Sequence, residues 1–128
     1  MTGLTVLVTG VTGYFGSALA GRLAADPAVD RVIGVDAALP EPAARARLGG
    51  AEFARADIRN PIIAKVIEAA GGDTVVHASA SSRAAGSAAR SMAKEMNVLG
   101  TMQLLAACQR SSSVRHLVVR STEAVYGG

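Results

Sequence analysis

Thr9-Gly10-Val11-Thr12-Gly13-Tyr14-Phe15-Gly16 stands between a short apolar run and a segment with apolar residues on one helical face. That order predicts a buried strand, a turn and a helix. Gly10 permits a tight turn out of the strand, Gly13 lets a bound group approach the backbone, and Gly16 lets the helix pack closely. The free N–H groups and the positive dipole end at the helix start then predict an anion-binding turn.

Strands and helices alternate along the rest of the chain. The predicted strands are 4–9, 31–35, 52–56, 74–77 and 115–119, and the predicted helices are 14–25, 61–70 and 92–110. Residues 38–50 are interpreted as a loop with one helical turn at 43–48, and residues 81–91 as a loop or a frayed helix start. The alternation predicts an α/β fold, a Rossmann-type doubly wound parallel sheet in the order 3-2-1-4-5. The predicted sheet is truncated after strand five, where a full one has at least one more strand.

Asp36 ends the second predicted strand, twenty residues beyond Gly16. A carboxylate at this place accepts hydrogen bonds from both ribose hydroxyls of an adenine dinucleotide and repels a 2′-phosphate. The next residue is Ala37 rather than arginine, so the predicted cofactor is NAD rather than NADP. Two alternatives stay open from these residues alone: the glycines only shape a turn, and Asp36 is a solvated acid at a strand end.

Composition excludes several function classes. The chain has 128 residues, the length of one domain, and a formal net charge of +3. Its arginines are scattered rather than clustered on one face, so no nucleic-acid partner is expected. No run reaches about 18 uninterrupted apolar residues, so no membrane association is expected. No His, Cys, Asp or Glu cluster has metal-ligand spacing. The single cysteine, Cys108, lies in an apolar helical pattern and favours a reducing, cytoplasmic location.

The spacing G-x-x-G-x-x-G resembles the glycine turn of the short-chain dehydrogenase/reductase family, in its extended branch of NAD-dependent epimerases and dehydratases. The resemblance continues in order along the chain. Its further segments are Asp57-Ile58-Arg59, His77-Ala78-Ser79-Ala80, Asn97-Val98-Leu99-Gly100-Thr101 and Ser121-Thr122-Glu123-Ala124-Val125-Tyr126-Gly127. The resemblance implies that residues 1–128 are an NAD-binding Rossmann domain, the N-terminal part of an enzyme whose substrate-binding C-terminal part is absent.

The resemblance also implies which residues contact the cofactor. They are Gly10, Thr12, Gly13, Tyr14, Phe15, Gly16, Asp36, Asp57, Ile58, His77, Ala78, Ser79 and Asn97. Asp57 would bind the adenine amino group, with a ring nitrogen on the N–H of Ile58; alternatively, Asp57 only caps a turn. His77 is interpreted as a strand-end histidine satisfied by backbone rather than as an acid–base group. Asn97 would support the active-site geometry, and Gly100 and Thr101 would allow close packing.

The catalytic role implied by the resemblance falls on Thr122, whose hydroxyl would bind the reacting substrate oxygen; alternatively, Thr122 only ends a strand. In dehydratases of this branch the next two residues are Asp and Glu, whereas here they are Glu123 and Ala124. The Tyr-x-x-x-Lys pair of the family is absent, and Tyr126 is its structural V-Y-G tyrosine. The chain alone is therefore predicted to be inactive.

Three functions are compatible with these motifs. The first is hydride transfer with NAD on a small-molecule substrate, a nucleotide sugar, by an epimerase/dehydratase-like enzyme. The second is a non-catalytic NAD(P)-binding sensor or scaffold module. The third is an alcohol or sterol dehydrogenase of the same branch. The Thr122 segment favours an enzyme, because a pure binding module does not need it. A homodimer could form through the long helix 92–110.

Overall fold

A computed structural model describes residues 3–78 and 87–120, with side chains for 3–78 and 98–120. The strands are β1 (Leu4–Thr9), β2 (Val29–Asp36), β3 (Glu52–Arg55), β4 (Thr74–His77) and β5 (His116–Val119). The helices are α1 (Tyr14–Ala24), α2 (Pro42–Leu48), α3 (Ile62–Ala70) and α4 (Ser87–Arg110). Strands and helices therefore alternate, as the sequence predicts.

The five strands form one parallel sheet in the order β3-β2-β1-β4-β5. This order confirms the predicted doubly wound topology. The chain moves outward from β1 to β3, then returns across β1 to β4 and β5. Loops that leave neighbouring strands in opposite directions open a crevice at the carboxyl end of such a sheet. Here the strand order reverses between β1 and β4, so a crevice is expected at the carboxyl ends of these two strands.

Helices cover both faces of the sheet. On one face, Val6 and Val8 of β1 pack with Ala20 of α1 and Leu48 of α2. On the other, a second buried cluster joins the sheet to α3 and α4; it contains Leu7, Ile33, Val35, Ala56, Ile63, Ile67, Val75, Leu104 and Ala107. Successive residues of β1 point to opposite faces, so burial of both faces explains the three consecutive apolar residues at 6–8.

Helix α2 confirms the helical turn that the sequence predicts at 43–48. It begins one residue earlier, at Pro42. Ala44 and Leu48 are buried at helical spacing. A Cβ built on Gly21 of α1 would lie 2.0 Å from the backbone oxygen of Arg47. The missing side chain at Gly21 thus lets α1 and α2 touch backbone to backbone. This packing adds to a local sequence that itself favours a helix, with proline at its start followed by alanine, arginine and leucine.

Helix ends agree closely with the predicted capping residues. Asn60 Oδ1 accepts a hydrogen bond of 3.0 Å from the backbone N–H of Ile62, as expected of an N-cap followed by proline. Gly71 ends α3 in the left-handed region with φ 66°. The start of α4 lies at Ser87, five residues before the predicted start at 92. Such end shifts are ordinary for boundaries inferred from sequence.

Candidate functional site

The turn after β1 has the geometry that its glycines predict. Gly10 has φ 78°, a conformation that favours glycine, and its carbonyl accepts a hydrogen bond from the Gly13 N–H. A Cβ built on Gly16 would lie 2.2 Å from the Gly10 carbonyl oxygen. The close approach at Gly16 is therefore to the turn itself. Any larger residue there would push α1 away from the end of β1.

The start of α1 leaves N–H groups available to a ligand. The N-cap, Gly13, has no side chain to cap the helix, and no acidic residue lies in the first turn. The first N–H groups of an α-helix have no intrahelical partner. Ser17, one turn on, donates its hydroxyl back to the Gly13 carbonyl at 2.8 Å and does not serve as a cap. An anion placed before Tyr14 would meet these groups at the positive end of the helix dipole.

Asp36 lies beside this turn, at the carboxyl end of β2. Its Oδ2 atom accepts two hydrogen bonds from Thr12, one from the backbone N–H at 3.0 Å and one from the hydroxyl at 2.7 Å. Its Oδ1 atom lies 3.4 Å from the Ala38 N–H, its single hydrogen-bond donor among the described residues. Asp36 was expected to accept hydrogen bonds from both ribose hydroxyls. Since Thr12 already occupies Oδ2, Oδ1 is the oxygen with acceptor capacity left for a ligand.

Asp57 and Ile58 follow β3 at the same edge of the sheet. Asp57 caps its own turn, accepting the Arg59 N–H at 2.9 Å. Its side-chain hydrogen bonds to the Arg59 guanidinium lower the pKa of this carboxyl. Ile58 packs on α4, where a Cβ at Gly100 would lie 2.7 Å from its Cδ1 atom. The predicted close packing at Gly100 is thus confirmed. Ile58 is left with its backbone to offer to a ligand.

Two hydroxyls contact the ring of His77, which was expected from the sequence to be satisfied by backbone. Nδ1 lies 2.7 Å from Thr9 Oγ1, and Nε2 lies 3.0 Å from Thr101 Oγ1. The side chain is buried, and burial lowers the pKa of His77. The buried imidazole, with a hydroxyl near each ring nitrogen, links β1, β4 and α4. It holds the backbone of Ala78, whose N–H bonds the Thr9 carbonyl, at the crevice.

Two arginines near the turn were not anticipated from the sequence. The Arg47 guanidinium lies 4.7 Å from the centre of the Tyr14 ring, and its Nε donates to Ser17 Oγ at 2.7 Å. The Arg120 guanidinium lies 4.3 Å from the Phe15 ring centre. Both contacts are within the range of cation–π interactions. They place positive charge beside the positive end of α1, which favours an anionic group there. Their partners are remote in sequence, so no local pattern could reveal them.

Three predicted site residues cannot be placed with the others. Ser79 and Thr122 lie outside the described residues, as do Glu123 and Tyr126. Asn97 lies in α4, but its side chain is outside the described part. The described residues bring together the glycine turn, Asp36, Asp57, Ile58, His77 and Ala78 at the carboxyl edge of one sheet.

The described residues also bear on membrane crossing and metal binding. Among residues 3–78 and 87–120, no helix is both long enough and apolar enough to cross a bilayer. Within the part of the chain that the structure describes, no three His, Cys, Asp or Glu side chains lie together so as to hold a metal ion.

Relatives of the chain are found in mycobacteria. Uncharacterized protein Rv0501 of Mycobacterium tuberculosis is 54% identical over 122 residues, covering 95% of this chain and 32% of that protein. The same values hold for Uncharacterized protein Mb0513 of Mycobacterium bovis. The chain thus spans about a third of the length of the curated relatives it matches.

Solved structures share the fold. A UDP-glucose 4-epimerase superposes with a TM-score of 0.80 at 25% identity, over 97% of this chain and 37% of that one. The dTDP-glucose 4,6-dehydratase of Bacillus anthracis, solved in complex with NAD, gives 0.72 at 25% identity, over 98% and 39%. The L-threonine dehydrogenase of Phytophthora infestans gives 0.75 at 27% identity, over 94% and 37%.

The site and these similarities agree on the cofactor. The uncapped helix start suits a pyrophosphate, and the carboxylate of Asp36 suits a ribose hydroxyl, so the residues present fit NAD. A model of the NAD dependent epimerase/dehydratase family matches residues 6–128, nearly the whole chain. The chain therefore belongs to the NAD dependent epimerase/dehydratase family.

Proposed function

We propose that this chain is the NAD-binding part of a longer epimerase/dehydratase-like enzyme that acts on a nucleotide sugar by hydride transfer. The observation that carries the proposal is the pairing of an uncapped α1 start with Asp36 across one crevice. The nucleotide-sugar substrate is supported by similarity to a UDP-glucose 4-epimerase and a dTDP-glucose 4,6-dehydratase. The longer polypeptide is supported by the 32% coverage of the mycobacterial relatives.

In this proposal each group has a distinct task. The N–H groups before Tyr14 bind the pyrophosphate, and Asp36 orients the adenosine ribose. Asp57 accepts a hydrogen bond from the adenine amino group, and the Ile58 N–H donates to a ring nitrogen of the adenine. Gly10, Gly13 and Gly16 keep the turn compact. His77 holds the end of β4, so that Ala78 and Ser79 can line the crevice with small side chains. The bound NAD supplies the hydride acceptor and donor.

Thr122 is the proposed catalytic residue of the parent enzyme. A hydroxyl that hydrogen-bonds the substrate oxygen stabilises the charge that develops as hydride moves at the adjacent carbon. Ala124 cannot exchange a proton, so reversible oxidation or epimerisation suits the chain better than elimination of water. Asn97 would support this geometry from α4. We further propose a cytoplasmic location, in keeping with the single cysteine.

A second candidate is a dehydrogenase in which NAD is turned over as a cosubstrate. Similarity to an L-threonine dehydrogenase at 27% identity favours it. The two candidates differ in what happens to NAD. Incubating the full-length parent with substrate separates them, because a dehydrogenase accumulates NADH in solution and an epimerase does not.

A homodimer through α4 is a further part of the proposal. Val98, Met102 and Leu105 lie at helical spacing on α4 and are exposed, Met102 to 62%. An apolar stripe of this kind is typical of a surface that packs on another helix. Sedimentation of the full-length parent tests it: Met102→Glu should yield monomers if the stripe joins two copies.

The cofactor assignment is tested by calorimetric titration of the 128-residue chain with NAD and with NADP. NAD should bind at least tenfold more tightly, because Asp36 repels a 2′-phosphate. Asp36→Ala combined with Ala37→Arg should shift the preference toward NADP. Asp30→Ala is the matched control, since Asp30 lies near the opposite end of the same strand, where its carboxylate accepts the Gly3 N–H. Equal binding of both nucleotides by the unmodified chain would remove the Asp36 assignment.

A further inference from the structure

Thr12 contacts Asp36 with both of its hydrogen-bond donors. The backbone N–H, at 3.0 Å, and the hydroxyl, at 2.7 Å, converge on the same oxygen, Oδ2. Both residues are half-buried, and they come from different elements, the turn after β1 and the end of β2. Thr12 was counted among the residues expected to contact the cofactor, without being linked to Asp36.

Two donors on one carboxylate oxygen restrict the carboxylate. Each oxygen has about two acceptor directions, so the Thr12 bonds occupy those of Oδ2. Rotation of the Asp36 side chain would break both bonds, and hydrogen bonds to a charged group are stronger than those between neutral groups. The carboxylate is therefore held in one orientation, with Oδ1 directed away from the turn.

We propose that Thr12 is a specificity-determining positioning residue, which acts on the dinucleotide through Asp36. The clamp presents Oδ1 to a ribose hydroxyl in advance of binding. It also prevents the Asp36 carboxylate from rotating away when a 2′-phosphate is present. The negative charges of the carboxylate and the 2′-phosphate then stay close together, which weakens the binding of NADP. An unclamped aspartate can rotate away from such a phosphate. This inference rests on the proposed NAD site and names the residue that sets its selectivity.

Thr12→Val tests the clamp, because valine keeps the shape of threonine and removes only the hydroxyl. The ratio of the NADP and NAD dissociation constants should fall about three- to tenfold, with the backbone N–H still in place. Thr12→Ser should restore the ratio. Thr74→Val is the matched control, since its hydroxyl meets Asp73 at the opposite edge of the sheet and its removal should leave the ratio unchanged. Both constants come from the same preparation, so a partly unfolded sample does not alter their ratio.

A double-mutant cycle with Asp36→Asn tests the route of the effect. If Thr12 acts through the carboxylate, Thr12→Val should change the ratio less than twofold once Asp36 is asparagine. The proposal is overturned if Thr12→Val leaves the ratio of the unmodified chain within twofold, or if it shifts the ratio equally in both backgrounds. An unmodified chain that binds neither nucleotide would instead refute the NAD site itself.

Discussion

The Nε2 atom of His77 lies 3.0 Å from the hydroxyl oxygen of Thr101 and thereby ties the last residue of β4 to α4. The other ring nitrogen meets Thr9 on β1. The neutral imidazole has one donor and one acceptor nitrogen, and a hydroxyl can play either part. The chain therefore keeps a polar side chain in its core, where it fixes the spacing between two strands and a helix.

Thr101→Val should reduce the free energy of unfolding by about 1 kcal/mol, because the buried imidazole would lose its hydrogen bond to the Thr101 hydroxyl. Urea denaturation measures this loss. Thr101→Ser keeps the hydroxyl and should cost clearly less. If Thr101→Val cost no more than Thr101→Ser, the hydrogen bond would contribute no more to stability than the methyl group does, contrary to the expectation.

Acid should weaken the fold through His77. Burial lowers the pKa of His77 below its ordinary value of 6.5, so the unfolded chain takes up a proton at a higher pH than the folded chain. The stability of the neutral form is fully present above about pH 6.5 and is lost as the pH falls toward the folded pKa, by up to about 1.4 kcal/mol per pH unit. Unfolding measured between pH 7.5 and 5 should show this slope. His77→Asn should flatten it, whereas His116→Asn, at an exposed position, should not.

Gly13→Val should abolish dinucleotide binding and leave the fold largely intact. Gly13 has φ −78° and ψ 164°, which any residue adopts, so valine there fills space without straining the backbone. That space is where the pyrophosphate would approach. Calorimetry measures the binding and circular dichroism the fold. Unchanged NAD affinity would show that the turn has only a structural role.

Gly16→Ala should instead damage the fold, at a cost of about 3 kcal/mol, because its methyl group would meet the Gly10 carbonyl. Gly72→Ala is the matched control, since a Cβ there has its nearest neighbour, the Thr5 carbonyl oxygen, 4.0 Å away. Thermal unfolding of both variants measures the difference. Similar melting temperatures would contradict the close approach at Gly16.

The isolated chain should show no turnover of a nucleotide sugar, even when it binds NAD. Losing a general acid–base group costs about 10² to 10⁴ in rate, and losing the substrate-binding part removes positioning as well. In the full-length parent, Thr122→Ala should lower kcat far more than NAD affinity, and Thr122→Ser should recover most of the rate. Epimerase activity from residues 1–128 alone would refute the assignment of the missing acid–base group.

Sequence was sufficient for the sheet and for the turn. The strands were predicted from their apolar runs, because a parallel strand buried on both faces has a recognisable composition. Their order was predicted from the alternation with helices, because crossover connections are right-handed. The turn was predicted from the spacing of its three glycines, and the role of Asp36 from its distance of twenty residues beyond Gly16. These features are encoded locally or by simple repetition.

Other features depend on contacts that no local pattern reveals. Thr9 and Thr101 lie 68 and 24 residues from His77, so its hydroxyl partners were not predicted. The sequence showed the arginines only as scattered charges, yet Arg47 and Arg120 stack on the aromatic rings at the start of α1. The contact between α1 and α2 at Gly21 likewise joins residues that are distant in sequence.

The contact between Arg120 and Phe15 has a consequence for synthesis of the chain. It joins residues near both ends of the described structure, and β1 itself pairs with β4, formed from residues 74–77. Chain segments emerge from the ribosome in order, and pairings between distant segments must wait for the later one. The glycine turn is translated before β4 and β5, so its neighbours on those strands emerge after it. The surroundings of the turn are therefore completed late in folding, and a nascent chain that stops before β4 carries the glycine motif without the strand that pairs with β1 on that side.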